Sequence, residues 1–176
     1  MSYRVAVVGA TGAVGTVMLA KLRESDLPIA ELVPFASERS KGKELEGGLI
    51  VQALSEESIQ GFDIAIFSAG ATTSRAWAPR FAAAGCVVVD NSSAFRRDPE
   101  IPLVVSEVNP EALDAHKGII ANPNCSTMQL MVALKPIHDA AGIERLIVST
   151  YQSVSGTGVK AVAELEDQTH AVLHGQ

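Results

Sequence analysis

Short apolar runs rich in β-branched residues alternate along this chain with longer stretches that mix apolar and polar residues. Such runs are typical of parallel strands that are buried on both faces. The runs that predict strands are 3–8, 31–36, 49–54, 64–67, 86–90, 103–105 and 119–121. The mixed stretches that predict helices are 16–24, 73–84 and 128–141. The alternation predicts an α/β fold, a Rossmann-like and mostly parallel sheet with helices on both faces.

The pattern changes after residue 141. Residues 144–151 mix valine, isoleucine, threonine and tyrosine, and we predict that they begin a second sheet. Residues 159–173 predict a helix with charged residues on part of its surface. We therefore predict two domains: residues 1–127 bind a nucleotide, and residues 128–176 are the incomplete start of a second α+β domain.

Composition and charge exclude several classes of protein. Apolar residues make up 47% of the 176 residues, which is enough for a sizeable core. The net charge of −6 argues against a nucleic-acid partner. No apolar stretch is long enough to cross a membrane and the first residues do not resemble a signal peptide, so we expect a cytoplasmic protein. The two cysteines form no disulfide framework, and no Cys/His cluster has the spacing of a metal site.

A glycine-rich loop joins the first predicted strand to the first predicted helix. Its GxxGxxG spacing, Gly9-Ala10-Thr11-Gly12-Ala13-Val14-Gly15, permits a tight turn and close backbone approach to a pyrophosphate at a helix N-terminus. A glycine-rich turn without a ligand is the alternative. The predicted cofactor contacts are Gly9, Thr11, Gly12, Ala13, Val14 and Gly15.

The loop after the second strand indicates which dinucleotide binds. An NAD site usually carries an acidic residue here, and Glu38 is present. Ser37, Arg39 and Ser40 surround it, however, and together they could hold a 2′-phosphate. We therefore predict NADP as the cofactor. The alternative is a polar loop in which Arg39 pairs with Glu38.

Cys125 follows a Pro-containing loop and opens a run of helix formers. At a helix N-terminus, unpaired backbone N–H groups favour a thiolate and can hold a developing oxyanion. This arrangement suggests acyl-thioester chemistry, and the alternative is a buried cysteine that merely starts a helix. Cys86 lies in an apolar run and is most simply a small buried side chain.

Five segments, in order along the chain, resemble the aspartate-semialdehyde dehydrogenase family: residues 9–15, 36–40, 91–96, 122–127 and 152–158. The resemblance implies NADPH-dependent reduction of L-aspartyl 4-phosphate to L-aspartate 4-semialdehyde with release of phosphate, in the biosynthesis of lysine, threonine and methionine. It also implies a homodimer and a second domain like that of glyceraldehyde-3-phosphate dehydrogenase.

The resemblance further implies roles for individual residues. Cys125 would attack the acyl phosphate, and Arg96 would face the phosphate group, where the alternative is a surface arginine. Asn124 would orient the thioester carbonyl or the nicotinamide, or would simply cap a helix. Gln152 would contact the substrate, and Ser155 with Gly156 would form a second cofactor loop. The loop of Ser68, Ala69 and Gly70 lies where ligands usually bind.

The family's general acid/base histidine and its substrate-binding arginine have no match in this chain. None of the four histidines lies in the matching context; they are His116, His138, His170 and His174. The last two are four residues apart, as in a metal pair, but no third ligand accompanies them. We therefore expect a truncated chain with little or no turnover and with apolar surface that favours self-association.

Two other functions stay open at this stage. N-acetyl-glutamyl-phosphate reductase uses the same thioester chemistry, but it usually has Gly before the cysteine and an aromatic residue after it. A non-catalytic NADP-binding or redox-sensing module would leave Cys125 and Arg96 without a role. The Tyr-x-x-x-Lys pair of short-chain dehydrogenases is absent, since neither Tyr3 nor Tyr151 has a lysine four residues on.

Overall fold

The computed structural model describes residues 2–175. Contacts divide the chain into two compact units, one that runs to Gly142 and one that begins at Ile143. The first unit contains the sheet and the first three helices, and the second contains the last helix. The predicted domain boundary after residue 127 stays a prediction; by its contacts, the helix that starts at Cys125 groups with the first unit.

Six short strands form one parallel sheet in the order β5-β2-β1-β6-β7-β8, and β3 and β4 form a separate antiparallel pair. The strands of the described residues are β1 (Tyr3–Val8), β2 (Ile29–Ala36), β3 (Glu44–Leu45), β4 (Leu49–Ile50), β5 (Gln52–Ala53), β6 (Ile64–Phe67), β7 (Val87–Asp90) and β8 (Ile119–Ala121). The α-helices are α1 (Ala13–Glu24), α2 (Ala71–Ala83), α3 (Cys125–Ala141) and α4 (Val159–Leu173). The order reverses beside β1, as in a Rossmann fold, so the predicted fold class is confirmed.

Alternate residues of β1 enter two different hydrophobic clusters. Ala6 and Val8 pack in a cluster that includes Phe81 of α2, whereas Val7 packs with Leu19 of α1. Because successive side chains of a strand point to opposite faces, α1 and α2 cover opposite faces of the sheet. The larger cluster is built around aromatic rings; those of Phe67 and Phe81 meet edge to face with centroids 5.3 Å apart.

Three predicted elements differ from the structure. The run at 49–54 is divided between β4 and β5, because Gly47 and Gly48 turn the chain with positive φ and pair β4 with β3. Residues 103–105 contribute only one isolated bridge, Leu103 to Ala121. Residues 144–151 form no strand: no other described segment pairs with them, and a strand without a partner leaves its backbone groups to water.

Candidate active site

The carboxyl ends of the parallel strands gather the predicted site segments of the first unit at one edge of the sheet. The glycine loop follows β1, Ser68 to Gly70 follow β6, and Asn91 and Asn122 follow β7 and β8. The strand order reverses between β1 and β6, and ligands of open α/β sheets bind in the crevice at such a point.

The glycine loop is tight in a way that only glycine permits. Gly9 has φ +94°, and a Cβ built on it would lie 2.5 Å from the carbonyl oxygen of Ser68. A Cβ on Gly15 would collide with the Gly9 carbonyl and lie 2.8 Å from the Ala10 Cα. Gly12 precedes the first residue of α1, so the helix starts directly beneath the turn. A tight glycine turn that leads directly into a helix N-terminus, with its unpaired N–H groups, is an arrangement that suits a pyrophosphate.

The loop after β2 lies beside the glycine loop. The backbone N–H groups of Gly9 and Ala10 donate to the carbonyl of Phe35 in β2, over 2.8 and 3.0 Å. Two residues after the end of β2 at Ala36 the chain forms a 3₁₀ turn, Glu38–Ser40, preceded by Ser37. Arg39 is exposed, and among residues 2–175 no carboxylate forms an ion pair with it. The alternative in which Glu38 neutralises Arg39 is therefore not what the structure describes.

Arg96 is half-buried and is held by the ends of two neighbouring strands. Its Nε donates to the carbonyl of Asn122 over 2.8 Å, and its Nη2 donates to the carbonyl of Asn91 over 2.7 Å. The side chains of the two asparagines also pair, with Asn122 Nδ2 donating to Asn91 Oδ1 over 2.7 Å. Arg97, by contrast, is exposed. The guanidinium of Arg96 is thus bound to the carbonyl of Asn122, and Asn122 lies three residues before Cys125 in the sequence.

Cys125 is exposed and is the first residue of α3, as predicted. Asn124 is the N-cap: its Oδ1 accepts from Ser126 N over 3.0 Å and from Ser126 Oγ over 2.6 Å. The Cys125 sulfur lies 4.0 Å from the same oxygen. The alternative of a buried cysteine is wrong for Cys125. It is correct for Cys86, where burial, aided by the charge of Asp63, raises the pKa of the thiol to about 12.

The remaining predicted site residues lie in the second unit. Ser153 caps a 3₁₀ turn, Val154–Thr157, by accepting from Ser155 N. The side chain of Gln152 packs over Gly156, whose Cβ, if present, would lie 3.0 Å from Gln152 Cδ. The roles of Gln152, Ser155 and Gly156 at the site stay predictions.

The histidines take part in local contacts. His116 Nδ1 accepts from Gly118 N over 3.1 Å, and the rings of His170 and His174 stack on exposed helix surface with centroids 4.1 Å apart. Within the described part of the chain, no three His, Cys, Asp or Glu side chains are grouped to hold a metal ion. None of the described helices is both long and apolar enough to span a bilayer.

The sequence did not predict the buried hydrogen-bond network around Asp90 at this edge of the sheet. Asp90 is fully buried and accepts hydrogen bonds from Ser74 and Ser92. Asn91, which pairs with Asn122, follows it in the sequence. The order Asp-Asn-Ser-Ser after a buried strand is a signal of side chains that bond to nearby backbone, and it could have identified this turn. The partner on α2 could not be found from local sequence.

Two family models match the chain. One is described as semialdehyde dehydrogenase, NAD binding domain, and matches residues 4–116. The other is described as semialdehyde dehydrogenase, dimerisation domain, and matches residues 134–176. The first match lies within the first unit, and the second covers the end of that unit and the second unit.

Relatives with names and structures agree with the family models. An aspartate-semialdehyde dehydrogenase of Aquifex aeolicus is 58% identical over 182 residues, covering 100% of this chain and 54% of the relative. Aspartate semialdehyde dehydrogenase II of Vibrio cholerae, solved alone and complexed with ASA, superposes with TM-scores of 0.92 and 0.90 at 53% and 52% identity. Both superpositions cover 99% of this chain and 54% of that one. The enzyme of Candida albicans, solved with NADP, superposes with a TM-score of 0.69 at 28% identity over 81% of this chain and 48% of that one.

The chain spans about half the length of the curated relatives it matches. The NAD-binding family model alone covers well over half of the 176 residues. The site geometry, the order of the strands and these similarities agree, and the chain belongs to the semialdehyde dehydrogenase family.

Proposed function

We propose that this chain carries the cofactor site and the nucleophile of an NADP-dependent aspartate-semialdehyde dehydrogenase, which acts in the biosynthesis of lysine, threonine and methionine. The reaction converts L-aspartyl 4-phosphate to L-aspartate 4-semialdehyde and phosphate. One observation carries the proposal: Cys125 is exposed at the first position of α3, and Arg96 is anchored to the carbonyl of Asn122, three residues earlier.

The first step is acyl transfer to sulfur. The Cys125 thiolate attacks the acyl carbon, and the C–O bond to the phosphate breaks, so that the thioester forms and phosphate leaves with the electron pair. The N–H groups of the first turn of α3 stabilise the oxyanion that develops on the carbonyl. Asn124 keeps this turn in place as its N-cap. Arg96 faces the departing phosphate; two of its nitrogens are bound to carbonyls, which fixes the direction of the guanidinium.

The second step needs a cofactor at the crevice beside β1. When bound, the nicotinamide would supply the hydride that reduces the thioester to the aldehyde, and the C–S bond breaks as the Cys125 thiolate leaves. The glycine loop holds the pyrophosphate, and Ser37, Arg39 and Ser40 hold the 2′-phosphate. The free guanidinium of Arg39 supports NADP, as does the NADP-bound relative from Candida albicans. Glu38, on the same turn, favours NAD.

Cofactor choice is tested by isothermal titration with both dinucleotides. Arg39→Ala is expected to weaken NADP binding about ten- to a hundredfold and to leave NAD binding almost unchanged, since a charge-assisted contact to a phosphate is worth roughly 1.5–3 kcal/mol. Glu38→Gln is the matched control on the same turn. An equal loss for both dinucleotides in Arg39→Ala would contradict the assignment of the 2′-phosphate to this residue.

Gln152 acts as a substrate contact and Ser155 with Gly156 as a second cofactor contact in this proposal, and the whole protein is a homodimer. The match of residues 134–176 to a dimerisation domain supports the dimer. Apolar side chains of α4 are exposed within the second unit, among them Leu165, Val172 and Leu173. Sedimentation velocity across a range of concentrations tests the assembly.

The decisive experiment asks for the first half-reaction only, because the chain spans about half the length of its relatives. The chain is incubated with L-aspartyl 4-phosphate, and the covalent adduct is located by peptide mass spectrometry while released phosphate is counted. We expect one aspartyl group on the Cys125 peptide per phosphate released. Cys125→Ala is expected to abolish the adduct, and Cys86→Ala, the matched control, is expected to retain it.

N-acetyl-glutamyl phosphate is the competing acyl phosphate in this experiment. Faster acylation by it would replace the proposed substrate with that of the reductase. Absence of any adduct, with NADP binding intact, would leave an NADP-binding module and would refute the proposed chemistry at Cys125.

A further inference from the structure

A carboxylate that the proposed mechanism does not use immediately precedes Asn91, whose carbonyl holds Arg96. Asp90, the last residue of β7, is fully buried. Its Oδ1 accepts from Ser74 Oγ over 2.7 Å and from Ser92 N over 3.1 Å, and its Oδ2 accepts from Ser92 Oγ over 2.7 Å. Ser74 is itself fully buried in α2. A buried carboxylate is costly unless it is hydrogen-bonded, and here three donors satisfy it.

The two serines connect Asp90 to different parts of the molecule. Ser92 belongs to the turn that leads to Arg96, and its hydroxyl oxygen also accepts from Ala94 N over 3.0 Å. Asn91, between Asp90 and Ser92, supplies the carbonyl that accepts from Arg96 Nη2. Ser74, by contrast, connects Asp90 only to the helix.

We propose that Asp90, acting through Ser92, is a positioning residue for Arg96. The carboxylate holds both the backbone and the hydroxyl of Ser92, so it fixes the start of the turn. It thereby sets the direction of the Asn91 carbonyl that anchors the guanidinium. Asp90 does not touch the reacting atoms; it keeps the cation aimed at the anion beside Cys125. The inference rests on the proposed function in one respect, the placement of Arg96 at the phosphate.

The test measures the local positive charge at Cys125 without substrate or cofactor. The rate constants for alkylation of Cys125 by iodoacetate, an anion, and by iodoacetamide, a neutral analogue, are measured at low ionic strength. Both reagents attack the thiolate, so their ratio cancels changes in the ionised fraction of the sulfur. The ratio reports the cation beside it. Cys86 is buried and serves as an unreactive internal reference.

Two matched variants separate positioning from stability, and Arg96→Ala calibrates the probe. Ser92→Ala and Ser74→Ala each remove one hydroxyl from the same buried carboxylate, and both are milder than Asp90→Ala, which can fail to fold. Both are expected to lower the thermal midpoint by a few °C, about as much as one hydrogen bond to a charge predicts. The iodoacetate-to-iodoacetamide ratio is expected to fall roughly three- to fivefold in Arg96→Ala, which removes the charge. It is expected to fall by a smaller factor, about twofold, in Ser92→Ala, because the charge and the bond from Arg96 Nε to the Asn122 carbonyl remain. In Ser74→Ala it is expected to equal that of the wild type.

The outcomes distinguish the positioning role of Asp90 from the placement of Arg96 beside Cys125. If Arg96→Ala lowers the ratio and Ser92→Ala does not, the positioning role is wrong while the proposed function stands. The role is also wrong if Ser74→Ala lowers the ratio as much as Ser92→Ala, because the network then acts only through general stability. If Arg96→Ala leaves the ratio unchanged, the cation is not beside Cys125, and both the positioning role and the proposed phosphate site fall.

Discussion

One cysteine lies at the amino end of the parallel sheet and the other at the carboxyl end, and the first is buried whereas the second is exposed. Cys86 precedes β7 and lies in the main hydrophobic cluster, where burial raises the pKa of its thiol to about 12. Cys125 follows the end of β8 and is exposed at the start of a helix. Two side chains of the same type therefore differ in exposure because they lie at opposite ends of the sheet. At the carboxyl end, loops and helix N-termini face solvent and ligands.

The largest expected contrast is in the rates at which the two thiols react. At about pH 8, a thiol whose pKa is about 12 instead of the ordinary 9.0 has a thiolate fraction about a thousandfold smaller. Burial should slow Cys86 further. We therefore expect Cys125 to react with iodoacetamide at least about a thousand times faster than Cys86, measured by peptide-resolved mass spectrometry.

Unfolding the chain in urea provides the control for this contrast, since both cysteines should then react at similar rates. Comparable rates in the folded protein would contradict the conclusion that Cys86 is buried and Cys125 is exposed.

A second prediction concerns stability at high pH. The folded-state pKa of the Cys86 thiol is raised, so the protonated thiol is the form that folding favours. Its contribution is fully present below about pH 9 and is lost as the pH rises towards 12. The loss in the free energy of unfolding amounts to on the order of 3–4 kcal/mol, at about 1.4 kcal/mol per pKa unit.

Urea unfolding at several pH values between 8 and 12 checks this loss. Cys86→Ala should remove that part of the pH dependence, whereas Cys125→Ser should retain it. Tyrosines and lysines also titrate in this range, so the quantity to compare is the difference between wild type and Cys86→Ala. A difference that does not change with pH would show that Cys86 is not desolvated.

Two glycines allow the same substitution at the two ends of the sheet. Gly9 follows β1 with φ +94°, and Gly118 precedes β8 with φ +97°. A Cβ would lie 2.5 Å from the Ser68 oxygen in the first case and 2.9 Å from the Ala82 Cβ in the second. Both alanine variants are expected to lose about 1–3 kcal/mol of stability through backbone strain, and Gly9→Ala is expected to lose more because its Cβ meets backbone atoms. Only Gly9→Ala should also weaken NADP binding, about tenfold or more, by isothermal titration.

Equal dinucleotide affinity in the two folded variants would refute the placement of the pyrophosphate at the glycine loop. Thermal midpoints of both variants are measured first, and binding is compared at a temperature at which both proteins are folded.

The features that sequence predicts well here are those encoded within a few neighbouring residues. The β1 run, the glycine turn and the start of α3 at Cys125 are all local signals, and the structure has them where they were expected. The division of 49–54 could not be predicted as easily, because it depends on which strand each half pairs with. Residues 144–151 carry strand-forming side chains, yet a strand also needs a neighbour.

Within the site, long-range contacts set the limit of prediction. The sequence indicates Arg96 through its resemblance to a family motif, but nothing local shows that its guanidinium spans the ends of β7 and β8. The bond between Ser74 and Asp90 joins residues that are 16 apart in the chain and lie on different elements. Such pairs become visible only when the sheet order is known.

The smallest expected effect comes from substitution of Asn124, which should change the reactivity of Cys125 and not that of Cys86. Asn124→Ala removes the N-cap of α3 and should cost about 1 kcal/mol of stability. The Cys125 sulfur lies 4.0 Å from the capping oxygen. In the proposed mechanism, the cap aligns the first turn, whose N–H groups would stabilise the oxyanion of the reacting carbonyl. We therefore expect Asn124→Ala to slow acylation of Cys125 several-fold and to leave alkylation of Cys86 unchanged. Asn124→Ser, which can still cap, should restore most of the stability. If it restores the acylation rate as well, Asn124 acts as a cap; if the rate stays low in a stable Asn124→Ser protein, the amide itself contacts the substrate or the nicotinamide.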